Sequence, residues 1–235
     1  MKLGIMQPYF FPYIGYWRLI QSVDRFVVYN DVDFIKGGWI NRNRIMINGE
    51  PRYLTIPLQG ASANKKIFEI SLQPSEKWRK KMLKTLQNTY QRSPFFTETY
   101  AMCEEILGFE SINLSDFLGN QLNVIVKRIG IDTSIQHASS KYGNDHLHGQ
   151  TRVIDICVRE GATTYVNPPG GESLYESGAF SDNHIQLRFI NSSPVKYTQK
   201  SSEFVPNLSI IELLMELGFE GVKSYINEYT LYRKI

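Results

Sequence analysis

The sequence predicts an α/β protein with a parallel sheet, and three observations near the N-terminus lead to that prediction. Lys2 to Met6 has the composition of a short apolar strand, and a loop with two prolines follows it. Helical spacing then runs through Tyr16, Leu19 and Ile20. Residues 24–30 form a second run of β-branched and aromatic residues. A strand, a helix and a strand within so few residues make a compact βαβ unit, which requires parallel strands.

The loop after the first strand is the most distinctive stretch of the chain. Pro8 and Pro12 end the strand and stiffen the loop, because proline fixes φ and lacks a backbone donor. Gly15 allows the turn into the helix and lets another backbone or a ligand come close. A strand, a loop and a helix N-terminus in this order bind phosphate in many α/β proteins. The loop also holds four aromatic residues that either plug a core or line a pocket: Tyr9, Phe10, Phe11 and Tyr13.

The length, the composition and the net charge limit the class of protein. A chain of 235 residues can bury a full core, and we expect one α/β domain over 1–235 with a helical insertion at 75–131. The net charge of +3 is too mild to predict a nucleic-acid partner. Cys103 and Cys157 lie in predicted amphipathic helices, which indicates free buried thiols and a reducing compartment. No apolar run reaches about 18 residues, so we expect a cytoplasmic protein without membrane insertion. The oligomeric state stays open.

The remaining elements follow from periodicity and from turn residues. A hairpin is predicted around Asn48 to Pro51, and Ser75, Gly130 and Ser209 are predicted helix boundaries. The predicted strands beyond the hairpin are 67–72, 134–137, 163–167 and 185–190. The predicted helices after the first are 75–92, 97–107, 115–129, 151–159 and 210–217.

Tyr13-Ile-Gly-Tyr16 resembles the HxGH signature of the nucleotidyltransferase superfamily, which implies a Rossmann-like (HUP/nucleotidyltransferase-like) parallel sheet. In that superfamily two histidines and a helix N-terminus stabilise the charge that develops when a phosphate is attacked. Both histidine positions are tyrosine here, and a neutral tyrosine cannot supply positive charge. The resemblance therefore supports the fold more than the reaction. The alternative is that the rings only pack the loop.

Two further stretches carry polar side chains suited to ligand binding. In Trp39-Ile-Asn-Arg-Asn-Arg44, an extended backbone would send Asn41 and Asn43 to one side and the two arginines to the other. The fork of Arg42 or Arg44 binds carboxylate or phosphate through paired hydrogen bonds, whereas an exposed solvated loop is the alternative. The other stretch runs from Tyr165 to Tyr175 and contains a Pro-Pro-Gly-Gly loop. It is either a substrate contact or a plain turn. His137, His146 and His148 lack partners at ligand spacing, so no metal site is predicted.

These stretches together resemble the WbqC-like protein family. The resemblance rests on five blocks: 6–17, 39–43, 53–58, 165–175 and 204–214. The family is associated with genes for surface polysaccharide and O-antigen (lipopolysaccharide) synthesis, which implies acyl or aminoacyl decoration of amino sugars. Glu212 stands where the family usually has Asp, which conserves the charge.

The leading hypothesis is a transferase that acylates or aminoacylates the amine of a nucleotide-linked sugar. The alternatives are an ATP-dependent, AMP-forming ligase and a non-catalytic protein that binds sugar nucleotides. ATP or another nucleotide is the candidate cofactor, and the nucleotide-sugar is the candidate small-molecule partner. Asp31 and Asp33 follow the second strand and are the candidate catalytic carboxylates. The candidate ligand-binding residues are Gln7, Pro8, Tyr9, Tyr13, Gly15, Tyr16, Asn41, Arg42, Asn43, Arg44, Asn167, Gly170 and Gly171.

Overall fold

The computed structural model describes residues 1–191, 193–201 and 203–233. Within them the chain forms a mixed α/β structure. The strands are β1 (Lys2–Met6), β2 (Arg25–Val28), β3 (Arg42–Ile47), β4 (Glu50–Thr55), β5 (Leu58–Gln59), β6 (Ser71–Leu72), β7 (Ser134–Gln136), β8 (Thr164–Asn167), β9 (Gln186–Asn191) and β10 (Thr230–Tyr232). The helices are α1 (Ile14–Gln21), α2 (Glu76–Tyr90), α3 (Phe96–Gly108), α4 (Leu114–Ile129), α5 (Gly149–Arg159), α6 (Ser177–Ser181) and α7 (Ile210–Ile226).

The central sheet has six strands in the order β10-β9-β8-β1-β2-β7. Neighbouring strands from β9 to β7 run parallel, and β10 pairs antiparallel with β9. The prediction of a mostly parallel sheet is therefore confirmed. From β1 the chain builds outward to β2 and β7, then crosses to β8 on the other side. The strand order thus reverses next to β1, and open α/β sheets bind ligands at the carboxyl ends of the strands at such a point.

Both faces of the sheet are covered, because successive residues of a strand enter different hydrophobic clusters. Phe26 and Val28 of β2 pack in one cluster with α1, α3, α4 and α7. Val27 packs in the other cluster, with α5 and α6. The helices α2, α3 and α4 join the first cluster. The assignment of 75–131 as a helical insertion stays a prediction.

Local signals explain most of the boundaries. Ser75 caps α2 by accepting from the backbone N–H of Lys77 at 3.3 Å, and Gly130 ends α4 with φ at +74°. The β3–β4 hairpin turns at Asn48 and Gly49, both with positive φ, as a tight hairpin requires. Cys103 and Cys157 are free and buried, as predicted. None of the helices in the described part of the chain is long and apolar enough to cross a membrane.

One predicted element differs from the structure. The stretch 67–72 is not one strand: a 3-10 turn occupies Ile67–Glu69, and only β6 remains extended, paired with β5 in a separate small sheet. A short apolar run has no periodicity long enough to distinguish these forms. The predicted helix 210–217 is confirmed, because the helical backbone breaks at Gly218, whose φ of +66° and ψ of 179° are not helical. A second helical run follows this kink and ends at Ile226, and α7 denotes both runs.

Candidate functional site

The loop between β1 and α1 is held in an unusual conformation by buried side chains. Phe11 has a φ of +40°, which is rare for a bulky residue. Its N–H donates to Gln121 Oε1 at 2.9 Å, and its carbonyl accepts from Asn43 Nδ2 at 2.8 Å and from Ser209 Oγ at 3.0 Å. Gln121 Nε2 also donates to the Tyr9 carbonyl at 3.0 Å. Three separate segments therefore fix one strained residue, as is typical of functional loops.

The alternation of Trp39 to Arg44 is confirmed in β3. Asn43 points inward and is buried, whereas Arg42 and Arg44 lie on the outer face of the hairpin. Asn41, at the start of the hairpin, donates through Nδ2 to the Ile56 carbonyl at 3.0 Å. Both asparagines thus hold the backbone together. Their amides are used within the protein, so we assign them a structural role.

The outer-face arginines differ in what they contact. Arg42 donates to the Gly38 carbonyl at 3.2 Å and to the Gly37 carbonyl, and its Cζ lies 4.2 Å from the centre of the Tyr53 ring. The Arg44 Cζ lies 5.7 Å from the Trp39 ring centre. Arg44 Nε is buried and has no hydrogen-bond partner among the described residues. Arg42 therefore stabilises a turn, whereas Arg44 makes no side-chain hydrogen bond with the residues that the structure describes.

The space beside Gly15 is filled by a side chain of the protein. A Cβ placed on Gly15 would lie 2.4 Å from Cε2 of Tyr13 and 2.9 Å from its hydroxyl oxygen. The group that comes close to Gly15 in this structure is the Tyr13 ring, whereas the sequence predicts another backbone or a ligand. An anion at the N-terminus of α1 would have to displace that ring.

Three tyrosines surround this helix start and are neutral at pH 7. Tyr9 and Tyr16 have ring centres 5.6 Å apart, and the Tyr16 hydroxyl donates to the Gln7 carbonyl at 3.0 Å. Burial raises the pKa of Tyr13, and burial together with nearby tyrosines raises the pKa values of Tyr9 and Tyr16. Pro8, in the same loop, is buried. The tyrosines can donate hydrogen bonds, but they do not replace charged histidines.

The end of β2 carries Asp31 in a buried ion pair. Its carboxylate contacts the Arg152 guanidinium and the Ser139 hydroxyl, and both members of the pair have side chains exposed by no more than 5%. Arg152 also donates through Nε to Asn144 Oδ1 at 3.1 Å. A carboxylate engaged in this way orders the loops around it. Asp31 is thus a positioning residue rather than a free base.

Asp33 occupies a different environment, on the wall of a cavity at the carboxyl edge of the sheet. The cavity, which we call the carboxyl-edge cavity, has a volume of about 300 Å³. Asp33 is exposed, and its Oδ1 lies 2.7 Å from Lys66 Nζ. The polar residues and rings that line it include Tyr29, Asp33, Lys66, Asp145, His148, Arg152 and Tyr175.

Helix α5 begins at this cavity. His148 precedes the helix and makes no side-chain cap hydrogen bond in the described structure, and Gly149 starts the helix with φ at +53°. The first N–H groups of a helix attract anions. Across the cavity, burial raises the pKa values of Tyr29 and Tyr175, so both are neutral phenols. The cavity thus combines a lysine, a helix N-terminus, two phenols, an imidazole and two carboxylates, those of Asp33 and Asp145.

The Pro-Pro-Gly-Gly loop after β8 has a packing role for one of its glycines. The buried Asn167 side chain accepts from the Tyr165 hydroxyl at 3.1 Å, and a Cβ on Gly171 would lie 1.9 Å from Asn167 Nδ2. Gly170 has no atom within 4 Å of such a Cβ. The Tyr165 hydroxyl also lies 3.3 Å from that of Tyr175, which links this loop to the cavity wall.

The predicted site residues therefore form four groups. The loop residues and Asn43 meet in one clamp, and Arg42 and Arg44 lie on the outer hairpin face, with Asn41 at the start of the hairpin. Asn167, Gly170 and Gly171 lie in the loop after β8. Asp31 and Asp33 follow β2, and of these two only Asp33 lines the cavity. Lys66, His148, Tyr29 and Gln121 were missed. The sequence did carry a signal for Gln121, because it is a large polar residue on the apolar stripe of α4. The sequence carried no signal for Lys66, because the ion pair with Asp33 that places it at the cavity joins distant segments.

Comparisons with known proteins agree with the five sequence blocks. The WbqC-like protein family matches residues 7–224. The chain is 29% identical over 224 residues to the uncharacterized protein Rv1507c of Mycobacterium tuberculosis (strain ATCC 25618 / H37Rv), and the match covers 94% of this chain and 95% of that protein. No solved structure matches the chain, so the nucleotidyltransferase resemblance stays a prediction. The chain belongs to the WbqC-like protein family.

Proposed function

We propose that the protein binds a nucleotide-linked amino sugar in the carboxyl-edge cavity and transfers an acyl or aminoacyl group to the sugar amine. The observation that carries the proposal is the joint presence of Lys66, the open start of α5 and the Asp33 carboxylate around one cavity. The polysaccharide context that the family resemblance implies supplies the substrate class. The reversal of strand order beside β1 supports a Rossmann-like assignment of the sheet.

Lys66 and the start of α5 form the part of the cavity that suits the diphosphate of the substrate, and the carboxylates of Asp33 and Asp145 line the same cavity. Lys66 and the N–H groups at the start of α5 would hold the oxygens of the diphosphate, by charge and by hydrogen bonding respectively. Arg152 lines the same cavity, but Asp31 neutralises it, so Arg152 adds shape rather than net charge. Tyr29 and Tyr175 offer ring surface and hydroxyl groups to the sugar or the base.

The Lys66–Asp33 ion pair gives the reaction its base. An exposed pair of this kind contributes little stability, so a diphosphate that attracts Lys66 can open it at small cost. Asp33 is then free to accept a proton from the sugar amine. The amine nitrogen forms a bond to the acyl carbon of an activated donor such as a thioester. The carbon–sulfur bond breaks, and the leaving sulfur takes up a proton.

The ligase alternative has less support at the N-terminal loop. The Tyr13 ring covers Gly15, and the neighbouring phenols are neutral, so the positive charge that adenylyl transfer requires is absent from this part of the described structure. The non-catalytic alternative keeps the same cavity without turnover.

Mass spectrometry of nucleotide-linked amino sugars incubated with acyl thioesters tests the proposal. The expected product is the N-acylated sugar nucleotide, formed by the wild type and lost in Lys66→Ala. Lys65→Ala changes a neighbouring exposed lysine outside the cavity and serves as the matched control. Release of AMP and pyrophosphate from ATP and a carboxylic acid would favour the ligase instead. Binding by calorimetry without any product would favour the non-catalytic protein.

A further inference from the structure

The outer face of the β3–β4 hairpin carries two exposed aromatic rings between two arginines. Trp39 is 38% exposed and Tyr53 is 51% exposed, and their ring centres lie 6.3 Å apart. Arg42 lies over the Tyr53 ring and Arg44 over the Trp39 ring. The four side chains form a continuous row of contacts, which we call the hairpin row. None of them lines the carboxyl-edge cavity.

The two arginines of the hairpin row are not equivalent. Arg42 donates to the carbonyls of Gly37 and Gly38, which satisfies part of its fork. Among residues 1–191, 193–201 and 203–233, Arg44 has no side-chain hydrogen bond and no ion pair, and its Nε is buried. The Arg44 guanidinium therefore has no counter-ion among the described residues. A carboxylate or phosphate can supply one, because the guanidinium fork matches both.

We propose that the hairpin row is a second binding site, which takes a sugar ring bearing an anionic group. The anion would pair with Arg44, and the ring would pack against the exposed parts of Trp39 and Tyr53. The choice of a sugar rests on the proposed function, whereas the choice of an anion rests on Arg44 alone. The carboxylate that the hairpin itself carries, that of Glu50, is already paired with Arg52. Two rings and a mild net charge do not favour a nucleic acid.

Tryptophan fluorescence titration in a Trp78→Phe background tests this site, because Trp39 is exposed, Trp17 is fully buried and the partly buried Trp78 is then removed. The ligands are glucuronic acid, glucose 6-phosphate, glucose and a short single-stranded oligonucleotide. We expect a saturable change with at least one acidic sugar and at least tenfold weaker binding of glucose. Comparison of glucuronic acid with glucose 6-phosphate shows whether the site prefers a carboxylate or a phosphate. Equal binding of glucose, or a response to the oligonucleotide alone, would overturn the proposal.

Variants of Arg44 assign the signal to the row. Arg44→Gln should weaken binding of the acidic sugar at least tenfold. The affinity of Arg44→Lys should lie between those of the wild type and Arg44→Gln, since lysine retains the charge but lacks the guanidinium fork. Arg44 makes no side-chain hydrogen bond in the described structure, so both variants should fold. Lys66→Ala should leave this titration unchanged while it removes turnover, which separates failure of this site from failure of the proposed function. Unchanged affinity in Arg44→Gln would contradict the proposal.

Discussion

The Asn43 side chain donates through Nδ2 to the Phe11 carbonyl at 2.8 Å, and this contact joins the β3–β4 hairpin to the N-terminal loop. The same amide nitrogen lies 3.1 Å from the Phe10 carbonyl oxygen. Ser209, at the start of α7, binds the Phe11 carbonyl from another direction. Three of the sequence blocks that identify the family thus meet at one residue with positive φ. Their shared role in this structure is to fix the loop.

Asn43→Ala should destabilise the protein by about 2 to 3 kcal/mol, because it removes two buried hydrogen bonds and leaves carbonyl groups under-satisfied. Chemical denaturation measures the change. Asn88→Ala removes an exposed amide from α2 and should leave stability unchanged or slightly higher. Equal effects of the two substitutions would contradict the clamp.

Gly15→Ala should cost about 1 to 3 kcal/mol, because the new methyl group would overlap the Tyr13 ring. In a Tyr13→Ala background the same change should instead stabilise α1 by about 0.5 to 1 kcal/mol, as alanine usually does within a helix. A double-mutant cycle measures this reversal of sign. Additive effects would mean that the ring does not occupy the space beside Gly15.

Gly171→Ala should destabilise the protein and Gly170→Ala should not. A Cβ at 171 would meet the buried Asn167 amide, which is held by its hydrogen bond from Tyr165, whereas a Cβ at 170 meets nothing. We expect a loss of about 1 to 3 kcal/mol for the first change and less than about 0.5 kcal/mol for the second. Thermal unfolding of the two variants compares them directly. Similar melting temperatures would contradict the packing role of Gly171.

Glu212 should make stability depend on pH near neutrality. Burial raises the pKa of its carboxyl to about 7, although hydrogen bonds from the Tyr90 hydroxyl and the Met46 N–H lower it. The pKa of Glu212 in the folded state lies above its value in the unfolded state. The contribution of Glu212 to the free energy of unfolding is therefore fully present below about pH 4.5 and is lost as the pH rises through about 7. The loss in the free energy of unfolding is roughly 3 kcal/mol.

Denaturation curves at several pH values test this assignment. Glu212→Gln should flatten the dependence between about pH 5 and pH 8, whereas Glu220→Gln, on the exposed side of the same helix, should retain it. If stability depends on pH in Glu212→Gln as it does in the wild type, the assignment to Glu212 is wrong.

Asp31→Asn and Asp33→Asn should separate structure from chemistry. Asp31→Asn breaks a buried ion pair and should cost about 3 to 5 kcal/mol. Asp33→Asn breaks an exposed pair and should change stability by less than about 1 kcal/mol, while turnover falls at least about a hundredfold. Unfolding and turnover are measured on the same preparations. Full activity in Asp33→Asn would remove it as the base.

The sequence predicts the parallel sheet and the direction of the hairpin side chains, because both follow from short-range periodicity. It also places Asp31 and Asp33 correctly at the carboxyl edge. It cannot assign them different roles, since the partners that distinguish them, Arg152 and Lys66, come from distant segments. For the same reason the cavity is invisible in the sequence. His148 carries only the signal of a histidine in a polar loop, and its place at the start of α5 depends on the fold.

Titration calorimetry with a nucleotide-linked amino sugar tests the central claim, that the carboxyl-edge cavity holds this substrate. We predict that the wild type binds, that Lys66→Ala binds at least tenfold more weakly, and that Lys65→Ala matches the wild type. The two lysines are adjacent in sequence, and of the two only Lys66 lines the cavity among the described residues. Equal affinity of the two variants, or no binding by the wild type, would contradict the claim.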